Sequence, residues 1–241
     1  MVENVSDSIY FVTIIFALLT VVFGILVLNT LFRNKLKELF SDQKFFVFFF
    51  LVMGYALFAM GEVTWYLINN IFNTIPTAGM PDFYWVTGAG FMILSFVALS
   101  RVLHQSYGDN HKLLPLLLVG GALMLGVIIY VSTSLSNGVG EGDSVFLAYF
   151  YPLSTALILL LSANLLLYFH QLGQFEKDLL YLFFANIGFL GGDLLYIYWN
   201  ASNLLGFFSD IFYFFAYGLS AFAFFTLLIK LHLHSAEKSL R

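Results

Sequence analysis

The chain has 241 residues, of which 61% are hydrophobic and only 10% charged, with a mean hydropathy of +0.90. A water-soluble protein of this length cannot bury so much apolar surface, so lipid must cover a large share of it. The net charge of −4 says little about partners, nothing in the sequence points to nucleic acid, and the lack of cysteine excludes disulfides, thiolate catalysis and thiolate metal sites.

Seven apolar runs follow one another, each long enough to cross about 30 Å of hydrocarbon at about 1.5 Å per residue. The first, 9–32, follows an acidic segment (MVENVSDS) with no basic residue before it, which predicts an uncleaved anchor. After Arg33–Lys44 comes a second run, 45–71, which contains Glu62. The turn Asn69–Pro81 leads into the third, 82–104, and Arg101–Lys112 into the fourth, 113–134. Beyond Ser132–Asp143 lies the fifth, 145–169, with Pro152 near its start. His170–Lys177 precedes the sixth, 178–199, which carries Gly188-x-x-x-Gly192 and then Asp193. Asn200–Ser209 precedes the seventh, 209–231, and a tail from His232 to Arg241 ends the chain. The pattern predicts an all-α, polytopic fold: one seven-helix transmembrane domain over residues 1–241.

Nine of the ten Lys and Arg fall in the first, third and fifth connections and the C-terminal tail, and the tenth, Lys230, stands at the tail end of the seventh span. The positive-inside rule then puts the N-terminus outside and the C-terminus in the cytoplasm of a multi-pass cell-membrane protein. Output is expected to pass through the membrane domain itself or through a separate cytoplasmic partner.

Spans two and three repeat in spans six and seven. With an offset of 131 residues, Glu62 aligns with Asp193, and Leu51, Phe58, Gly61 and Asn69 align with Leu182, Phe189, Gly192 and Asn200. After a three-residue difference, Asp82, Trp85 and Gly90 meet Asp210, Tyr213 and Gly218. Asn29 and Asn164 hold comparable places in spans one and five. A three-helix unit (about 9–104) would thus recur (about 145–231) across a linker helix (about 113–134). Three helices plus one is an even number, so the two copies would run parallel, in a 3+1+3 arrangement with a pseudo-twofold axis along the membrane normal.

On the side that lacks cations, four acids lie within or at the start of the apolar spans: Glu62, Asp82, Asp193 and Asp210. Helical spacing puts Tyr55, Glu62, Trp65, Tyr66 and Asn69 on one face of span two, and Asn186, Asp193, Tyr196 and Asn200 on one face of span six. Glu62 and Asp193 would lie about 13 Å and about 10 Å below the external helix ends. Asp82 and Asp210 would open spans three and seven, where capping competes with ligand binding as their role. With no cation nearby and all five His near the cytoplasmic face, the inner pair is either protonated and hydrogen-bonded, ionised around a bound cation, or ionised in a watery vestibule. All eleven of these residues are candidates for ligand or ion binding; no catalytic set is expected, and a metal is left open.

Seven helices with an external N-terminus invite comparison with microbial rhodopsins. Retinal would need a lysine midway along span seven, and that span has only Lys230 at its end, so no such cofactor is expected. Seven-helix zinc hydrolases need intramembrane histidines, which the sequence does not supply. Gly61-Glu62-Val63-Thr64-Trp65, Pro81-Asp82-Phe83-Tyr84-Trp85 and Asp210-Ile211-Phe212-Tyr213 with Gly218 resemble instead the seven-helix sensory modules found ahead of prokaryotic histidine kinases and diguanylate cyclases. A Pro-Phe-Pro-Ser run common in those modules is absent here. The resemblance implies a non-enzymatic, receptor-like sensor that binds a small ligand or cation between the repeats. A proton- or cation-coupled transporter and a lipid-modifying enzyme with paired carboxylates are the alternatives. Lipids are the expected surroundings, and self-association is left open.

Overall fold

The computed structural model describes residues 2–33, 42–72, 79–107, 121, 126, 143–166, 168, 176–196 and 203–239. Among them are six long helices: α1 (Val2–Phe32), α2 (Gln43–Tyr66), α3 (Met80–Tyr107), α4 (Asp143–Leu166), α5 (Glu176–Tyr196) and α6 (Asn203–Ser239). No strand occurs among the described residues. All six helices are long and apolar enough to cross a membrane. They correspond to the expected spans one, two, three, five, six and seven. The expected fourth span, 113–134, lies outside the described residues apart from Gly121 and Gly126.

Several boundaries extend beyond the apolar runs. α1 starts at Val2 instead of 9, and α6 covers Asn203–Ser239 instead of 209–231. Hydropathy marks where lipid would end, whereas a helix stops only at a breaker, and the flanking segments of α6 contain no proline. Its early turns are also tied down, because the Ser209 hydroxyl donates to the Gly192 carbonyl at 2.9 Å. α2 starts on Asp42, whose carboxyl accepts from the Lys44 amide at 2.9 Å, and it ends in a π-turn, Leu67–Ile71.

The helices form a closed ring, each packing on the next: α1 on α2, α2 on α3, α3 on α4, α4 on α5, α5 on α6 and α6 on α1. On α1 the exposed residues Phe11, Ile15, Leu18, Val22 and Ile25 recur at helical spacing, while Thr13 and Thr20 are buried. An outward stripe more apolar than the inward one suits hydrocarbon and would be a liability in water. The centre is filled by Tyr55, Met92, Phe96, Tyr217 and Phe224, all nearly inaccessible.

Lipid tails supply no hydrophobic drive between helices, so close packing and polar contacts must hold them together. A Cβ on Gly54 would meet Met92 Cγ at 2.5 Å and the Gly88 carbonyl at 3.1 Å, so α2 and α3 touch backbone to side chain there. Nothing lies within 4 Å of a Cβ on Gly90. Gly54→Ala is therefore expected to destabilise the fold by about 1–3 kcal/mol, and Gly90→Ala to leave it unchanged or slightly more stable. Thermal unfolding of both variants in detergent checks this pair.

At the opposite end from Phe72 and Gly79, Lys230 on α6 pairs with the buried Asp178 on α5 (2.7 Å), and the Thr226 hydroxyl donates to the same carboxyl (2.6 Å). Lys230→Met would leave the buried Asp178 with the Thr226 hydroxyl but without the Lys230 charge, and a loss of a few kcal/mol is expected. The double variant with Asp178→Leu should recover most of that loss, because neither charge is then left unpaired. Denaturant titration of the single and double variants reads the difference. Asn164 donates to Ser100 across α4 and α3 at 3.1 Å, whereas Asn29 is exposed, so these two asparagines do not play equivalent parts.

Candidate ligand-binding site

Inside the ring, at the end where α2 finishes and α3 and α6 begin, lies a cavity of about 330 Å³. Two buried carboxyls form its polar wall, and each is held through both oxygens. Glu62 on α2 accepts from the Tyr10 hydroxyl on α1 (2.8 Å, Oε2) and the Tyr217 hydroxyl on α6 (2.9 Å, Oε1). Asp193 on α5 accepts from the Tyr213 hydroxyl on α6 (2.6 Å, Oδ1) and is 2.8 Å from the Thr155 hydroxyl on α4 (Oδ2). Thr155 Oγ1 also lies 2.9 Å from the Tyr151 carbonyl. It has one proton to share between these two acceptors.

The two clusters are built alike. Each acid follows a glycine whose missing side chain makes room for an aromatic ring of the next helix. A Cβ on Gly61 would overlap the Trp85 indole, and one on Gly192 would lie 2.7 Å from the Tyr213 ring. Each acid then takes one hydroxyl donor from the preceding helix, Tyr10 or Thr155, and one from α6. Phe189 stands between the clusters, edge-on to Tyr217 at 4.9 Å and against Tyr213 and Phe58. An aromatic girdle continues round the opening: Tyr196 on Trp65 (6.4 Å), Trp65 on Trp85 (6.1 Å) and Trp85 on Tyr151 (6.0 Å). The Trp85 indole N–H is buried with no hydrogen-bond partner.

Of the eleven expected site residues, Glu62, Asp193, Asp210, Trp65, Asn69 and Tyr196 line the cavity. Asp82 stands behind the wall: its Oδ1 accepts from the Tyr151 hydroxyl at 2.5 Å and its Oδ2 from the Gly79 amide at 2.8 Å, so it both caps α3 and fixes a cavity tyrosine. Asp210 does not open a helix as expected, because α6 begins at Asn203 and has no acid in its first turn. Tyr55, Tyr66 and Asn186 are not wall residues. Tyr55 accepts from Ser220 in the core at 2.9 Å, and Tyr66 stacks on the Tyr10 ring at 6.2 Å. Asn186 is buried with its Nδ2 unpartnered. Asn200 lies outside the described residues.

The π-turn adds a residue the helical spacing did not predict. Such a turn widens the helix and shifts its register, so the consecutive Asn69 and Asn70 both reach the cavity. The donors Tyr10, Thr155 and Tyr217 were also unforeseen. Tyr213 had two signals, its alignment with Trp85 and its place in the Asp210-Ile211-Phe212-Tyr213 segment.

Among the described residues no group of three or more His, Cys, Asp or Glu is placed to hold a metal. The chain matches no known family model, no curated protein and no solved structure.

Proposed function

We propose that this chain is a non-enzymatic, receptor-like membrane sensor that binds a small ligand in the cavity and relays its presence to a cytoplasmic partner through helix packing. The observation that carries the reading is the shared cavity itself: carboxyls from two distant helices, each fixed by hydroxyls from two neighbours, face one small space. A ligand touching both would bias the packing of α1, α2, α4, α5 and α6 at once, and a ligand shifts an equilibrium only through such differential contacts.

The rest of the architecture is proposed with it: seven spans, two parallel three-helix repeats joined by a linker helix, the N-terminus outside and the cavity open to that side. The one-sided cations support the orientation. The repeat is supported by the matched Gly–aromatic contacts and by the ring order, in which α1, α2 and α3 neighbour one another as α4, α5 and α6 do. The resemblance of the Glu62 and Asp82 segments to sensory modules agrees with this reading.

A sensor fits better than a transporter because the cavity has a packed floor. Phe58, Ala89 and Phe189 close it, and Tyr55, Met92 and Phe96 lie buried beneath. Proteoliposomes are expected to show no flux of protons or small cations above the lipid background. Flux that disappears in Glu62→Gln would replace the sensor with a transporter. Orientation has its own test, since the chain has no cysteine of its own. Ser8→Cys is expected to react with a membrane-impermeant maleimide from outside intact cells, and Ser106→Cys only after lysis; the reverse pattern would invert the topology.

A further inference from the structure

We infer that the cavity takes a small organic cation, an alkylammonium or quaternary ammonium group, in preference to a bare metal ion, an anion or a neutral molecule. This deepens the sensor reading and rests on it.

Charge comes first. Glu62, Asp193 and Asp210 line the cavity, and among the described residues no Lys, Arg or His does. The hydroxyls that hold Glu62 and Asp193 are neutral donors, so they orient the carboxyls without cancelling a negative charge. Ionised carboxylates here would repel an anion and attract a cation.

The kind of cation follows from the walls. A hard ion such as Ca²⁺ takes about 6–8 oxygen ligands at short range. Here all four oxygens of the two buried carboxyls already have a hydroxyl within hydrogen-bond distance, and no metal-holding set of acids is present among the described residues. An ammonium carrying alkyl groups needs no such shell. It gains from contact with carboxylates and with the faces of Trp and Tyr, which attract cations by about 0.5–2 kcal/mol each. Trp65, Trp85, Tyr151 and Tyr196 provide those faces above Phe58 and Phe189. At about 330 Å³ the space sits at the small end of ligand pockets, which suits a ligand of few heavy atoms.

The test uses the full chain in nanodiscs, titrated calorimetrically with tetramethylammonium, with choline, with its neutral carbon isostere 3,3-dimethyl-1-butanol, with CaCl2 and with sodium acetate. Saturable binding of tetramethylammonium and choline is expected, with the neutral isostere weaker by at least ~10-fold and no saturable heat from calcium or acetate. Asp193→Asn should weaken choline by a similar factor. Trp65→Leu, which leaves the donors Tyr10, Thr155, Tyr213 and Tyr217 in place, should do so too and covers the case in which the carboxyl variant fails to fold. Equal binding of the isostere, saturable calcium or acetate binding that displaces choline, or no ammonium binding by a folded protein would each overturn the inference. The two proposals fail separately: neutral-ligand binding without flux would refute only the cation assignment, and ammonium binding with ammonium flux would refute only the sensor.

Discussion

Glu62→Gln is expected to destabilise the fold by about 1–3 kcal/mol and to weaken binding of tetramethylammonium by tenfold or more. A glutamine side chain offers one carbonyl oxygen and an NH2 group, whereas Tyr10 and Tyr217 both donate to Glu62. One phenol is then left facing the amide NH2, itself a donor, in place of a carboxylate oxygen. Tyr217 is only 1% exposed, so its hydroxyl has little bulk water to replace the lost bond. The same substitution removes an ionisable carboxyl from a cavity whose described walls contain no Lys, Arg or His. Thermal unfolding and calorimetry on the same preparation measure the two effects. An unchanged melting temperature would mean that the two phenols do not meet at this carboxyl.

The second large effect is expected from the phenols on α6. Tyr213→Phe and Tyr217→Phe each delete a buried donor to a carboxyl while keeping the ring in place, and each is expected to destabilise by about 1.5–3 kcal/mol. The two hydroxyls serve different acids. The double variant should therefore equal the sum of the singles to within about 0.5 kcal/mol, as for independent sites. Denaturant unfolding of all four proteins completes the cycle. A coupling well above that limit would show that Glu62 and Asp193 belong to one network, and the picture of two separately built half-sites would have to be abandoned.

Much of this arrangement was legible in the sequence because lipid imposes simple rules. Apolar runs long enough to cross hydrocarbon announced the six described helices, and the acids stood out because a carboxyl in such a run needs a reason. The Glu62–Asp193 match pointed to paired sites, and both acids do line one cavity. The partners of the acids were not legible. Tyr10 near the start of α1 reads as an interface anchor, and only the packing of α1 against α2 turns it into a donor. Thr155 is one hydroxyl among many small residues. With 30 Phe and 14 Tyr spread through every helix, spacing could not single out the rings that form the girdle. Helix ends were misjudged where polarity and helix termination part company. For that reason Asp210, expected at the start of span seven, lies inside α6. The register shift at Leu67–Ile71 has no sequence signature at all, yet it adds Asn70 to the site.

The central claim is an acidic cavity reached from the N-terminal side, and one labelling experiment tests it directly. Ser154 lines the cavity and is 7% exposed, and cysteine is close to it in size. In sealed right-side-out vesicles, Ser154→Cys is expected to react with the cationic methanethiosulfonate MTSET at least ~10-fold faster than with its anionic counterpart MTSES, because like charges are excluded from a carboxylate-lined space. Tetramethylammonium should slow the cationic reagent. Equal rates for the two reagents, or modification only from the opposite face of the membrane, would contradict the account.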